Sequence, residues 1–243
     1  MRIVCYGLTD IGRSRKNNQD SIYVSSEDGL VVVADGIGGR KGGEIASQIA
    51  VKGLKKAYRE SEKLQPDEVS PFLIKSIDKI NQNIINHGQK HPEVEGLATT
   101  LNCLVFVKGR AYISHLGDSR TYLYYRDNMW QLTFDHNIEN YVERGWLPDE
   151  TLMNNPKSGA LVRALGLAEE CDVDIYEIKL KPGELLLTCS DGLTSMVSDR
   201  EIQKIIKANE HQIHLLPQIL VDAANRNGGQ DNITVAISGV TRD

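Results

Sequence analysis

LVVVADGIGGRKGGE, residues 30–44, runs apolar to Asp35 and then crosses five glycines before a helical pattern begins. Val31 to Ala34 are apolar at every position, which is how a strand buried on both faces reads. Glycines at 36, 38, 39, 42 and 43 let backbone approach a ligand closely. The loop is not a nucleotide cradle. It lacks the G-x-x-x-x-G-K-[ST] string, and Gly36-x-Gly38 is followed by glycine at 39 and 42 rather than at 41. An aspartate at its mouth would repel pyrophosphate unless a metal intervened. Taken alone, the stretch also reads as an ordinary Asp-Gly turn.

Two further runs end the same way. ELLLTCSDG (184–192) delivers Asp191, and GGQDNITVAIS (228–238) places Asp231 just before an apolar strand. Carboxylates at strand ends hold no core together, and three in one setting repel unless a cation sits between them. An all-oxygen set suits Mg²⁺ or Mn²⁺. RSRKNNQD (13–20) adds Asp20 at the start of a short strand and Arg15 five residues earlier. A guanidinium fork is the natural partner of phosphate oxygens, although a solvated surface arginine is the plainer reading. GDSR (117–120) adds Asp118 in what otherwise reads as a hairpin turn.

Strand patterns dominate: 3–8, 21–24, 30–34, 99–107, 111–116, 121–125, 173–180, 185–189 and 233–238. Lys108-Gly109 and Asp127-Asn128 read as tight hairpin turns, so the sheets are expected to be antiparallel. Helical spacing predicts helices over 44–60 and 70–87, the second opened by Ser70 as N-cap with Pro71 in its first turn. Shorter helices are expected over 138–144, 199–208 and 213–226. The class is therefore α+β: two packed, mainly antiparallel sheets with helices outside. No internal repeat or linker divides residues 1–243, so one domain is expected.

Hydrophobic residues make up 40% and charged residues 25% of the 243, as in a globular protein with a real core. A net charge of −5 argues against nucleic acid or an anionic membrane as the main partner. Four scattered cysteines without a C-x-x-C pair read as reduced thiols. No signal peptide and no apolar run near ~18 residues is found, so a cytoplasmic protein is expected.

RKNNQD (15–20), DGIGG (35–39), ATTL (98–101), GDSR (117–120), RALG (163–166), SDG (190–192) and QDN (230–232) occur in the order found in one family. Across residues 6–238 the chain resembles a bacterial member of the metal-dependent protein serine/threonine phosphatases, the PPM (type 2C) family. The resemblance implies an α-β-β-α sandwich with two Mn²⁺ or Mg²⁺ ions in a cleft at one end. Asp35 would bridge both ions, Asp191 and Asp231 would complete the first, and the Gly36 carbonyl would join the second. Asp20 would hold water on the second ion, with Gln19 near that shell. Asp118 with Asp191 would form a weaker third site, Asn232 would orient Asp231, and Arg15 would meet the substrate phosphate. A water between the ions would attack phosphorus in line, without a phosphoenzyme. The implied substrates are phosphoserine and phosphothreonine proteins made by a cognate kinase, and a monomer is expected.

The chain departs from many members after Asp35-Gly36, where Ile37 replaces the histidine proposed there as general acid. His115 alternates along a strand and reads as structural; His136 opens a DHN that resembles the family's DH[ST]. Residues 137–160 resemble a flap beside the cleft, in which Trp146 and Leu147 either touch substrate or pack the flap itself. Two other readings stay open: a non-catalytic phosphoprotein-binding module, and a hydrolase of small phosphate esters.

Overall fold

The computed structural model describes residues 2–37, 42–154 and 159–241. Gly38 and Gly39 of the first loop, and residues 155–158 of the expected flap, lie outside the described residues. The chain begins with β1 (Arg2–Asp10), β2 (Asp20–Ser25) and β3 (Leu30–Ile37), then two long helices, α1 (Gly43–Glu60) and α2 (Pro66–Lys90). Next come β4 (Ala98–Thr99), β5 (Leu101–Val107), β6 (Arg110–Leu116), β7 (Arg120–Tyr125) and β8 (Asn128–Gln131). Short helices α3 (Ile138–Glu143) and α4 (Glu150–Asn154) precede β9 (Asp174–Lys179) and β10 (Leu185–Cys189). The chain closes with α5 (Asp191–Thr194), α6 (Asp199–Asn209), α7 (Leu216–Arg226) and β11 (Ile233–Thr241).

These strands form two sheets, ordered β1-β11-β10-β7-β8 and β2-β3-β5-β6-β9, with β4 beside the end of β3. Every pairing is antiparallel. Three apolar cores explain the layering. Leu30, Val32 and Ala34 face α1 and α2, meeting Ala50, Leu54, Leu73 and Ile77, while Val31 and Val33 face Leu186 and Ala236 of the other sheet. On β10 and β11 the alternation repeats: Leu187, Val235 and Ile237 meet Leu220 and Ile202 of the outer helices. The continuous apolar runs of β3 and β10 thus serve two cores at once, which makes the α+β, four-layer α-β-β-α arrangement the way to bury them. Among the described residues no helix is long and apolar enough to cross a membrane.

Three local expectations are corrected. Helix α2 starts at Pro66, not after Ser70, because Gln65 and Glu68 form a capping box in which the Gln65 N–H donates to Glu68 Oε2 at 2.7 Å. Pro71 therefore lies inside the helix, where the carbonyl it leaves without a donor, that of Asp67, sits on an exposed residue. The second hairpin turns at Arg126-Asp127, one residue earlier than expected, with φ of 49° and 64°. A type I′ two-residue hairpin needs positive φ at both central positions, and Lys108-Gly109 meets the same demand as expected. Strand β8, implied by the second hairpin, has no pattern of its own to mark its extent, because its residues are mostly exposed and do not alternate. The last helix begins at Leu216, after a separate 3₁₀ turn at 210–212.

Ile113, fully buried between the sheets, and Ile74, 50% exposed on α2, differ only in setting. Ile113→Ala is expected to cost about 2–5 kcal/mol in urea denaturation. Ile74→Ala is expected to change stability by no more than about 0.5 kcal/mol.

Candidate functional site

Strand ends gather the acids. Asp35 ends the apolar run of β3, and Asp20, the first residue of β2, is its direct cross-strand partner. Asp191 caps β10 as the first residue of α5, Asp231 precedes β11, and Asp118 lies between β6 and β7. Arg15, Gln19, Asp35, Asp118, Asp191 and Asp231 line one open cleft of about 450 Å³, with Gly36, Ile37 and residues 159–161 at its edge. A larger hollow of about 880 Å³ lies at the other end of β3, where Glu27, Asp28 and Glu62 share the lining with Arg2, Arg59, Lys63 and Lys108.

Close backbone packing fixes both Asp-Gly corners. A Cβ on Gly36 would lie 2.3 Å from the Gly43 carbonyl, and one on Gly192 would lie 1.9 Å from the Asn232 carbonyl. The first contact presses the start of α1 against the end of β3; the second presses α5 against the approach to β11. Glycine is the residue that permits either. The two threonines of ATTL clasp Asp35: its N–H donates to Thr100 Oγ1, while the Thr99 hydroxyl and the Thr100 N–H donate to its carbonyl, each at 2.9 Å.

Asn232 orients Asp231 through its own N–H, which donates to Asp231 Oδ1 at 2.8 Å. Its side chain does a different job, accepting the Gln19 N–H and donating to the carbonyls of Ile11 and Asn17. Residues 11–19 are thereby tied to the β11 approach, which brings Arg15 over the cleft. There the Arg15 guanidinium donates to Asp231 Oδ2 at 2.6 Å.

Electrostatics mark the cluster. Burial, then the charges of Asp20, Asp191 and Asp118, hold the Asp35 carboxyl well above the ordinary range. Burial pushes Asp20 up to about 6 and, with help from Asp191 and Asp135, Asp118 up to about 7. Asp191 is raised by burial too, and hydrogen-bonds to Asp35. Asp20 Oδ1 and Asp191 Oδ1 are buried without a hydrogen-bond partner in the described structure. Among the described residues, no three His, Cys, Asp or Glu side chains are already drawn into a cage around an ion. Unpartnered oxygens, like charges in register and an all-carboxylate donor set fit a divalent, oxygen-preferring cation.

Both flanking histidines are structural in their contacts. His115 is fully buried, with Nδ1 2.5 Å from Asn102 Oδ1 and Nε2 2.8 Å from the Phe134 carbonyl. Burial lowers its pKa to about 3. His136 clasps the residue before Asp118: its N–H donates to the Gly117 carbonyl at 2.8 Å, and its Nδ1 accepts the Gly117 N–H at 3.2 Å. Nε2 then carries the proton toward Asp174, 3.1 Å away, with Arg163 beside it. Trp146 is 57% exposed yet packs edge-on against Phe134 and Tyr141, with Arg144 over its ring.

Sequence reasoning treated ATTL and SDG as markers and passed over the hydroxyls of Thr99, Thr100, Ser190 and Thr234. All four are fully or almost fully buried beside the acids. Polar residues at the ends of otherwise apolar strands were the available signal.

The family model for protein phosphatase 2C matches residues 11–218. The chain is 36% identical over 234 residues to the serine/threonine phosphatase stp of Listeria innocua, covering 94% of this chain and 92% of that one. It superposes on the S. agalactiae serine/threonine phosphatase with a TM-score of 0.88 and 33% identity, over 98% and 99% of the two chains. It also superposes on the PstP catalytic domain in complex with two manganese ions, with a TM-score of 0.85 and 29% identity over 99% of each.

Raised carboxylates make a signed prediction for the metal-free protein. A group whose folded pKa exceeds its unfolded value stabilises the fold at low pH and loses that contribution as pH rises through the folded value. For Asp118 the window runs from about 4 to about 7. Asp118→Asn, neutral at all pH, should raise the metal-free melting temperature slightly at pH 5 and by more at pH 7.5. Equal effects at both pH values would contradict this assignment.

Proposed function

The chain belongs to the protein phosphatase 2C family and is a serine/threonine protein phosphatase; we propose that the acid-lined cleft is where it hydrolyses phosphoserine and phosphothreonine. The observation that carries this reading is the convergence of Asp20, Asp35, Asp118, Asp191 and Asp231, from well-separated parts of the chain, around buried oxygens that lack partners.

Asp35, Asp191 and Asp231 would hold one divalent cation, and Asp35 with the Gly36 carbonyl a second, with Asp20 and Gln19 near its water. Asp118 and Asp191 would give a weaker third. Mn²⁺ or Mg²⁺ fits the all-oxygen set. When bound, such ions supply Lewis-acid charge for the phosphoryl oxygens and lower the pKa of water. The chain's own residues do the rest. Arg15 reaches over the cleft on a loop fixed by Asn232 and offers two parallel N–H donors to the phosphate. Thr99 and Thr100 hold the Asp35 backbone still, so its carboxylate costs little to reorganise as charge moves. Ile37 brings no titratable group to the cleft edge, so the leaving oxygen takes its proton elsewhere.

An open cleft admits a side chain carried on a protein. Residues 137–160 act as the flap beside it, anchored at His136. We read residues 1–243 as one phosphatase domain, acting as a cytoplasmic monomer on proteins modified by a serine/threonine kinase.

Phosphate release from a phosphothreonine peptide should require Mn²⁺ or Mg²⁺, and Asp191→Asn should lower turnover at least about 100-fold. Arg15→Ala should lower kcat/KM by about 10–100-fold, the worth of a charge-assisted hydrogen bond to phosphate. Metal-independent release, or free phosphoserine as the better substrate, would overturn this reading.

A further inference from the structure

Asp20 is buried, and one of its oxygens is held by an ordered set of hydroxyls. Thr234 Oγ1 donates to Asp20 Oδ2 at 2.6 Å, and Ser190 Oγ donates to the same oxygen at 2.8 Å. A hydroxyl has one proton, so the remaining contacts acquire a direction. Thr234 Oγ1 has given its proton to Asp20 and must accept from Thr9 Oγ1, 2.7 Å away. Thr9 Oγ1 in turn accepts from Asn18 Nδ2 at 2.9 Å, and Asn18 Oδ1 receives the Asp20 N–H at 3.1 Å. The ring closes on the residue where it began. Ser190 is fixed in the same way, because its Oγ accepts the Thr234 N–H at 3.0 Å.

Every donor in the ring points toward Oδ2. Rotation about the last side-chain bond of an aspartate is otherwise broad. Two hydroxyls on one oxygen remove that freedom and leave Oδ1 on the face of the strand pair that Asp20 shares with Asp35, its partner in register.

We propose that Thr234 and Ser190, backed by Thr9 and Asn18, are positioning residues that fix the Asp20 carboxylate as an acceptor and present its Oδ1 to the divalent-cation site. This rests on the reading of the cleft given above. None of the four touches the reacting atoms; they act through Asp20. Thr234→Val keeps the shape of the side chain while removing both the donor to Asp20 and the acceptor for Thr9.

Isothermal titration of the purified protein with Mn²⁺ alone is the test. Thr234→Val should weaken Mn²⁺ binding about 10–100-fold, as loss of an outer hydrogen-bond partner of a metal site does. Thr234→Ser should restore it, and Thr9→Val, which touches Asp20 nowhere, should weaken it less but in the same direction. Ser190→Ala should also weaken it and supplies the answer if Thr234→Val does not fold. A wild-type isotherm for Thr234→Val and Ser190→Ala, with Asp20→Asn weakened, would overturn the clamp and leave the cation site standing. So would a lower metal-free melting temperature with unchanged Mn²⁺ affinity, which is the mark of a merely structural role. A wild-type isotherm for Asp20→Asn would remove Asp20 from the cation site, and the clamp with it.

Discussion

Asp20 and Asp35 stand directly opposite one another on paired antiparallel strands, and the fold leaves them no way to part. Like charges in that position destabilise a sheet. A one-residue slip would separate them, but side chains alternate with a period of two, so the slip would exchange every face of β3. Leu30, Val32 and Ala34 would leave the helix-facing core, and Val31 and Val33 the core between the sheets. Each fully buried aliphatic side chain is worth roughly 1.5–3 kcal/mol, so the packing wins by a wide margin. The repulsion is therefore locked in by the hydrophobic cores on either side of the strand. It can be relieved only locally, by protons or by a cation.

That division of labour also decides what could be read from residues alone. The buried strands were legible because service to two cores demands unbroken apolar runs, and the acids were legible because each interrupts such a run at its end. Helix α2 was misread at its start because Pro71 is a conspicuous signal and the Gln65–Glu68 capping box a quiet one. Strand β8 was legible only through the hairpin turn before it, because an exposed edge strand has no core to impose a pattern. The hydroxyls around Asp20 and Asp35 were missed for a related reason. Threonine in a strand is ordinary on β propensity, and nothing in its letter says that its oxygen points inward at a carboxylate. Where Arg15 points is likewise a tertiary fact, since it depends on Asn232 holding residues 11–19 from more than two hundred positions away.

The Asp118 side of the cleft is built with the same economy of contacts. His136 meets Gly117 through both its backbone N–H and its ring, so the corner that carries Asp118 is tied to His136. The other ring nitrogen donates to Asp174, and Arg163 donates to the second oxygen of the same carboxylate. Burial alone would raise the Asp174 carboxyl, but the hydrogen bond from His136 and the charge of Arg163 outweigh it and hold the group below its usual range. Asp174 thus sits apart from the buried carboxyls in the cleft, which are pushed the other way. The two sets differ because His136 and Arg163 both reach Asp174, whereas burial dominates at Asp20, Asp35 and Asp118.

Arg15 lies between those cases. Its ion pair with Asp231 joins the group suited to a phosphate dianion to a group suited to a divalent cation. Both side chains are partly exposed, at 45% and 35%, and surface pairs of that kind contribute about 0–1 kcal/mol. Such a pair is easily opened, but opening it for one ligand alone leaves a charge without a partner. A cation at Asp231 frees Arg15 for an anion, and an anion at Arg15 frees Asp231 for a cation. The two ligands therefore assist one another through a single weak contact. On the proposed function, the 2.6 Å ion pair favours joint occupancy by metal and phosphate over occupancy by either one.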